Sequence, residues 1–305
     1  PYGIPAHHIS GPKYFKGVDS NEWNALLEEE LTLCLETHKP SMFIFDGAFP
    51  YRGMLRAIQG RDALKKIWMR RGMFKKGAKI PVDSIQHFDS IIRPGDAIDY
   101  SEEEVDHGLE ILRSSPIILL DEDELLSREK ARYRLGIPLD CRAVYVQLGA
   151  GEINDISSEI RMTVDALLKH ENLHVLLGES MIGERIEIDL PNVHIIRDYP
   201  NSQFFNGFDA VVQAGGYNSF HETRAFGLPA LFYPNMETGM DDQLARCKIA
   251  EEEGWGYVVK ERTQKSIQEG IGTLLAHAQN RNTSSQANGA DELCRQLISQ
   301  LEVVD

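Results

Sequence analysis

Val211-Val212-Gln213-Ala214-Gly215-Gly216-Tyr217-Asn218-Ser219-Phe220-His221-Glu222 runs on through Thr223-Arg224-Ala225-Phe226-Gly227-Leu228-Pro229-Ala230-Leu231. An apolar run enters a glycine pair, and a helical pattern begins at Asn218 or Ser219, so strand, turn and helix follow one another. Glycines let backbone N–H groups approach an oxyanion closely, and a helix N-terminus adds unpaired donors and the positive end of a dipole. Gly215, Gly216, Asn218 and Ser219 are therefore candidates for a phosphate site. Glu222, one turn into the helix, is a candidate for a pair of vicinal ribose hydroxyls. A structural reading stands beside this one. Ser219-x-x-Glu222 is a capping box that would commit both side chains to the helix start, and glycine pairs occur at such turns for steric reasons alone.

Outward from this stretch, short apolar runs alternate with amphipathic ones. Trp23, Leu26, Leu27, Leu31, Cys34 and Leu35 lie on one helical face, with Asp19-Ser20-Asn21 ahead of them as capping side chains. Met42-Phe43-Ile44-Phe45 then reads as a buried parallel strand opening at Asp46-Gly47. Further strands are expected at 66–69, 90–92, 116–120, 143–148, 173–177, 193–196, 210–213, 230–233 and 256–259. Helices are expected at 127–135, stopped by Gly136, and 241–252, stopped by Gly254. Alternation of this kind predicts an α/β protein of parallel sheets with helices on both faces.

The chain has 305 residues, 42% hydrophobic and 26% charged, with a formal net charge of −15. That is a globular composition of about two domains, and the acidity argues against a nucleic-acid binder, which works by neutralising phosphates. No apolar stretch approaches the roughly 20 residues of a membrane-spanning helix. The four cysteines are widely separated, which reads as reduced thiols in a cytoplasmic protein. Residues 1–115 carry 15 basic and 17 acidic side chains, against 17 and 30 in the rest. The expected division is 1–114, 115–290 and a C-terminal helix at 291–305.

The ordered set Gly216-Tyr217-Asn218-Ser219, Glu222, Gly227-Leu228-Pro229, Pro234 and Asp242-Gln243 resembles the donor-binding half of GT-B glycosyltransferases. The nearest likeness is to bacterial lipid-linked N-acetylglucosaminyltransferases and small-molecule UDP-glycosyltransferases, and it is best over 115–275. The resemblance implies two Rossmann-like domains with parallel sheets facing a cleft, and an enzyme moving a sugar from a UDP-sugar to an acceptor. It further implies inversion at the sugar, the UDP-sugar as substrate, and neither cofactor nor metal. Asn218 and Ser219 would contact the donor pyrophosphate, Glu222 the ribose, and Asp242 and Gln243 the sugar hydroxyls. Gly149-Ala150-Gly151 matches a glycine-rich loop facing the phosphates, and Tyr199 a neighbour of the base or a core tyrosine. At Ala214 the plant enzymes carry a phosphate-binding His, so contact here would rest more on backbone N–H groups.

Against the same family, Gly3-Ile4-Pro5 resembles the third strand region of the first domain, so that domain is expected to be N-terminally truncated. No catalytic base is assigned; His7 and His8 are an adjacent pair more typical of a surface or a core. Lys65–Lys79 is the one basic island, with Arg70, Arg71, Lys75 and Lys76 as candidates for an anionic or lipid-linked acceptor or a peripheral membrane surface. The competing readings are a nucleotide-sugar hydrolase or epimerase, since fold does not fix reaction, and a non-catalytic nucleotide-sugar-binding subunit.

Overall fold

A computed structural model describes residues 3–71, 82–97, 108–149, 156–179, 185–238, 241–278 and 287–302. Two parallel sheets organise the chain. In the first half, α1 (Ser20–His38) opens on a reciprocal cap: Asp19 accepts from the Asn21 and Glu22 N–H groups, and Glu22 accepts from the Asp19 N–H. It buries Trp23, Leu27 and Leu35, while Leu26, expected on the same face, is 43% exposed. Next come β1 (Met42–Asp46), α2 (Arg52–Ile58), β2 (Lys65–Met69), α3 (Val82–Ile85), β3 (Ser90–Pro94) and β4 (Glu110–Ser114). The sheet order is β1-β2-β3-β4, all parallel, with Trp68 wholly buried at its centre. Gly53 in α2 meets α1 so closely that a Cβ would lie 2.0 Å from the Asn24 carbonyl oxygen.

The strand expected at 116–120 is corrected to 110–114. β4 pairs with β3 from Ser90↔Glu110 to Pro94↔Ser114, and Pro116 has no N–H with which to continue the ladder. Residues 115–120 instead carry the chain across to the second half. There α4 (Arg128–Leu135), β5 (Arg142–Gln147), α5 (Ser157–Leu167), β6 (Leu173–Gly178), β7 (Val193–Ile196), β8 (Ala210–Gln213), α6 (Tyr217–Ala225), β9 (Ala230–Phe232), α7 (Gln243–Glu252), β10 (Gly256–Val258) and α8 (Gln264–His277) build the second sheet and its covering helices. The helix expected from 127 begins one residue later, because Ser127 is its cap: its side chain accepts from the Lys130 N–H.

The second sheet has the order β10-β9-β8-β5-β6-β7, again all parallel. Strand order reverses between β5 and β8. In an open parallel sheet the loops leaving such a pair part to opposite faces, which leaves a crevice at the carboxyl ends of the strands. Apolar side chains pack on both faces, Phe220, Phe232 and Trp255 on one and Val164, Leu177 and Ile271 on the other.

The last helix, α9 (Ala290–Glu302), returns to the first sheet. Leu293 packs with Ile67, Ile92 and Leu112, the Gln296 side chain donates to the Arg113 carbonyl at 2.7 Å, and Glu292 accepts from the Ser115 N–H at 3.0 Å.

Candidate functional site

The glycine turn lies at the carboxyl end of β8, beside the loop that leaves β5. The two are tied by the Ala214 N–H, which donates to the Gln147 carbonyl at 3.3 Å. Gly149 has φ +102°, a left-handed conformation that favours glycine; Ala150 and Gly151 lie outside the described residues. The glycine pair divides its work. A Cβ on Gly215 would come within 2.2 Å of Cys247 Sγ, so this glycine lets α7 pack against the turn. A Cβ on Gly216 would meet nothing within 4 Å.

The helix α6 starts at Tyr217, a residue or two earlier than expected, with Gly216 as its N-cap and no capping side chain. The capping-box reading is therefore overturned: Ser219 is already inside the helix. Glu222 instead accepts from Ser202 Oγ at 3.3 Å and from the Leu119 N–H, and burial pushes its pKa up to about 7. The opening N–H groups of α6 carry no side-chain cap and remain available to an anion.

Several residues that sequence reasoning missed complete this crevice. Tyr145 of β5 donates to Gln147 Oε1 at 3.0 Å and accepts from Asn201 Nδ2 at 2.9 Å. Asn201 adjoins Ser202, the partner of Glu222, on the short 3-10 segment Asn201–Gly207. Asn201 Oδ1 and Gln213 Oε1 are buried acceptors without a partner among the described residues. Each such group costs about 1–3 kcal/mol. Asn201 and Ser202 carry no motif, and only the fold brings them to Glu222. Tyr199 is 38% exposed, and its hydroxyl donates to the Glu179 carbonyl, whose side chain is paired with Arg197 at 2.8 Å.

Asp242 and Gln243 open α7 and are both engaged locally. Asp242 Oδ1 accepts from the Ala245 N–H at 3.0 Å as an N-cap, and Gln243 Oε1 accepts from the Asn235 N–H at 2.9 Å. Gln243 lies against the glycine turn, its carbonyl oxygen 3.1 Å from where a Cβ on Gly215 would stand, and both side chains already have structural work.

The basic island divides. Arg70 is 7% exposed and stacked over Trp68, with its guanidinium carbon 5.3 Å from the ring, so it does not share a surface with Arg71. Lys66 lies 4.0 Å from Asp89. Lys75 and Lys76 are outside the described residues. Arg71 spans the halves: it pairs with Asp46 at 2.8 Å and donates to Asn218 Oδ1 at 2.7 Å, at the mouth of the α6 N-terminus. His7 lies on the surface, 3.2 Å from Glu30.

A second bridge between the halves is buried. Asp96, on the loop after β3, accepts from Arg246 Nε and Nη2 at 2.9 Å each and from His221 Nε2 at 2.9 Å. Arg246 also donates to the Gly215 carbonyl at 2.7 Å and to Asp241. Tyr217 donates to the Gly95 carbonyl at 2.9 Å and accepts from the Ile117 N–H at 3.2 Å. Burial works to raise the Asp96 pKa, but hydrogen bonds and charge from His221 and Arg246 outweigh it and hold it at about 2. Burial lowers the pKa of His221, against the pull of the Asp96 carboxylate that it meets.

No protein-family model matches the chain. Over 175 residues it is 29% identical to the UDP-N-acetylglucosamine–N-acetylmuramyl-(pentapeptide) pyrophosphoryl-undecaprenol N-acetylglucosamine transferase of Acetivibrio thermocellus, covering 53% of this chain and 45% of that protein. Over 146 residues it is 26% identical to an uncharacterized glycosyltransferase of Methanosarcina acetivorans, covering 47% and 37%. The chain thus spans less than half the length of these curated relatives. Among solved structures, the kitacinnamycin glycosyltransferase superposes with a TM-score of 0.61 at 13% identity over 92% of this chain and 81% of that one. MurG of Acinetobacter baumannii gives 0.56 at 11% over 98% and 84%. A UDP-N-acetylglucosamine 2-epimerase from Listeria monocytogenes, there described as putative, gives 0.56 at 12% over 95% and 82%. Two parallel α/β halves, with the turns at the strand ends of the second meeting residues of the first, give this chain the GT-B fold of glycosyltransferases.

Proposed function

We propose that the chain is a glycosyltransferase that binds a UDP-sugar at the carboxyl ends of β5 and β8 and passes the sugar, with inversion, to an acceptor held by the first half. The observation that carries this reading is the coincidence at the strand-order reversal. An uncapped helix N-terminus, an open glycine and a carboxyl group one turn further on stand in the order that diphosphate and ribose require. The activity for which the Acetivibrio relative is named, with a UDP-sugar donor and a pyrophosphoryl-undecaprenol acceptor, supports both donor and acceptor class.

In this reading the N–H groups of Gly216, Tyr217 and Asn218 hold the diphosphate. They meet the negative charge that builds on it as the anomeric bond breaks, in place of a metal ion. Glu222, released from Ser202, accepts from the ribose hydroxyls. Arg71 supplies a cation from the acceptor side, which suits an anionic or lipid-linked acceptor and a peripheral membrane contact. Among the described residues no helix is long and apolar enough to cross a membrane.

The epimerase neighbour favours a second reading, 2-epimerisation of a UDP-N-acetylhexosamine on the same site. Calorimetric titration with UDP, followed by incubation with UDP-N-acetylglucosamine with and without a polyprenyl-pyrophosphoryl acceptor, tests both. Sugar transfer supports the first reading and a 2-epimer formed without acceptor the second. No UDP binding overturns both.

A further inference from the structure

Asp96 has no part in the site as just drawn, yet its side chain is 7% exposed and bound to two side chains that are wholly buried, His221 and Arg246. It stands on the first half, where the Ala97 N–H donates to its Oδ1 at 2.7 Å, and both of these side-chain partners stand on the second. A carboxylate and a guanidinium this deeply buried are costly to desolvate, and removing one partner strands the other. The fourth participant is the backbone of the phosphate turn. Arg246 Nη1 donates to the Gly215 carbonyl at 2.7 Å.

That carbonyl and the Gly216 N–H belong to one planar trans peptide, so they point in opposite directions. Pinning the oxygen toward Arg246 aims the N–H away from it. The Gly216 N–H donates to no backbone carbonyl among the described residues, and a Cβ on Gly216 would meet open space. Glycine has the freest backbone of any residue, so a Gly-Gly peptide keeps one orientation only if something holds it. Arg246 holds it, and the angle of Arg246 is set by two-point contact with Asp96, with Asp241 as its second anionic partner at 2.6 Å.

We propose that Asp96 is a positioning residue. Through Arg246 it orients the Gly215–Gly216 peptide, so that the first half of the molecule sets the anion-binding N–H of the second for a nucleoside diphosphate. This rests on the donor site of the preceding section, and it adds that the diphosphate end of that site is assembled by both halves while the nucleoside end is not.

The test is Asp96→Asn, with Asp96→Glu as the charge-preserving control and as the working variant should Asn not fold. Two readouts are taken on the full chain: hydrogen exchange of the amides at 214–220 without ligand, and the ratio of UDP to uridine affinity. Asp96→Asn is expected to speed exchange in that turn at least tenfold while α1 and α8 stay as in the wild type. It should weaken UDP at least tenfold and uridine less than twofold, with Asp96→Glu between the two. Unchanged exchange in the turn, or equal loss of UDP and uridine, overturns the proposal, because a merely stabilising contact does not distinguish the two ligands. Should the wild type bind neither ligand, the donor reading fails by itself, and the exchange data still decide whether Asp96 positions the turn.

Discussion

Glu222 is hydrogen-bonded to Ser202 and Leu119 in surroundings that hold its pKa near 7, against an ordinary 4.5. A folded-state pKa above the unfolded one contributes stability that is complete below about 4.5 and lost as pH rises through 7. The shift corresponds to at most about 3 kcal/mol. Glu222→Gln should therefore stabilise the ligand-free protein by about 1–3 kcal/mol at pH 8 and leave it almost unchanged at pH 4, as thermal melts at the two values would read. The same substitution should weaken uridine and UDP alike by about 1–3 kcal/mol, the scale of a lost hydrogen bond to a charged group. A helix-capping role would give the opposite stability change, a loss of about 1 kcal/mol. Arg71, which reaches Asn218 from the other half, is a separate case. Arg71→Gln should raise the KM for an anionic acceptor several-fold, an effect that fades with salt because half-exposed charges are screened over about 8 Å. Steady-state kinetics at two ionic strengths checks this.

At the scale of elements, helix ends and helix faces make different demands on the same residues. Asp242 caps α7, so Asp242→Ala should cost about 1 kcal/mol of stability and Asp242→Asn nearly nothing, since both Asp and Asn are good caps. If Asp242 also meets the sugar, both variants should lose discrimination between UDP-sugars; denaturation curves beside competition assays separate the roles. The C-terminal α9 belongs energetically to the first sheet. Leu293 is 4% exposed among Ile67, Ile92 and Leu112, so Leu293→Ala should cost about 2–5 kcal/mol, measured by urea denaturation. Nothing in the periodicity of 290–302 says which sheet it covers, because an apolar stripe specifies burial and not its partner.

Across the whole molecule, the halves are joined by buried charge rather than by apolar area alone. Asp96 is held at about 2 from an ordinary 3.8. A depressed carboxylate contributes stability present above the unfolded value and lost as pH falls through the folded one, here between about 4 and 2 and worth about 2 kcal/mol. Acid unfolding of the wild type should steepen in that window, and Asp96→Asn should flatten it; circular dichroism from pH 5 to 2 is the measurement. Joining the halves through Arg246 and Tyr217 also places the turn at 214–216 under the influence of the loop after β3.

Local chemistry alone settled the strand–turn–helix at 211–225, the cap at Asp19 and the stop at Gly136, because capping and glycine conformations depend on a few neighbouring residues. The parallel α/β class followed from the same alternation of apolar runs. What lay beyond it was everything set by side chains far apart in the chain. The partner of Glu222 is Ser202 rather than Ser219, and Arg70 turns inward over Trp68 while its neighbour Arg71 crosses to Asn218. The apolar run at 116–120 shows burial without showing which backbone it pairs with, and pairing belongs to Glu110–Ser114. Asp96 and Arg246, separated by 150 positions, form a buried pair that no local pattern announces. Only the meeting of the loop after β3 with α6 and α7 removes water from that place, and removing the water is what makes a carboxylate there require a guanidinium.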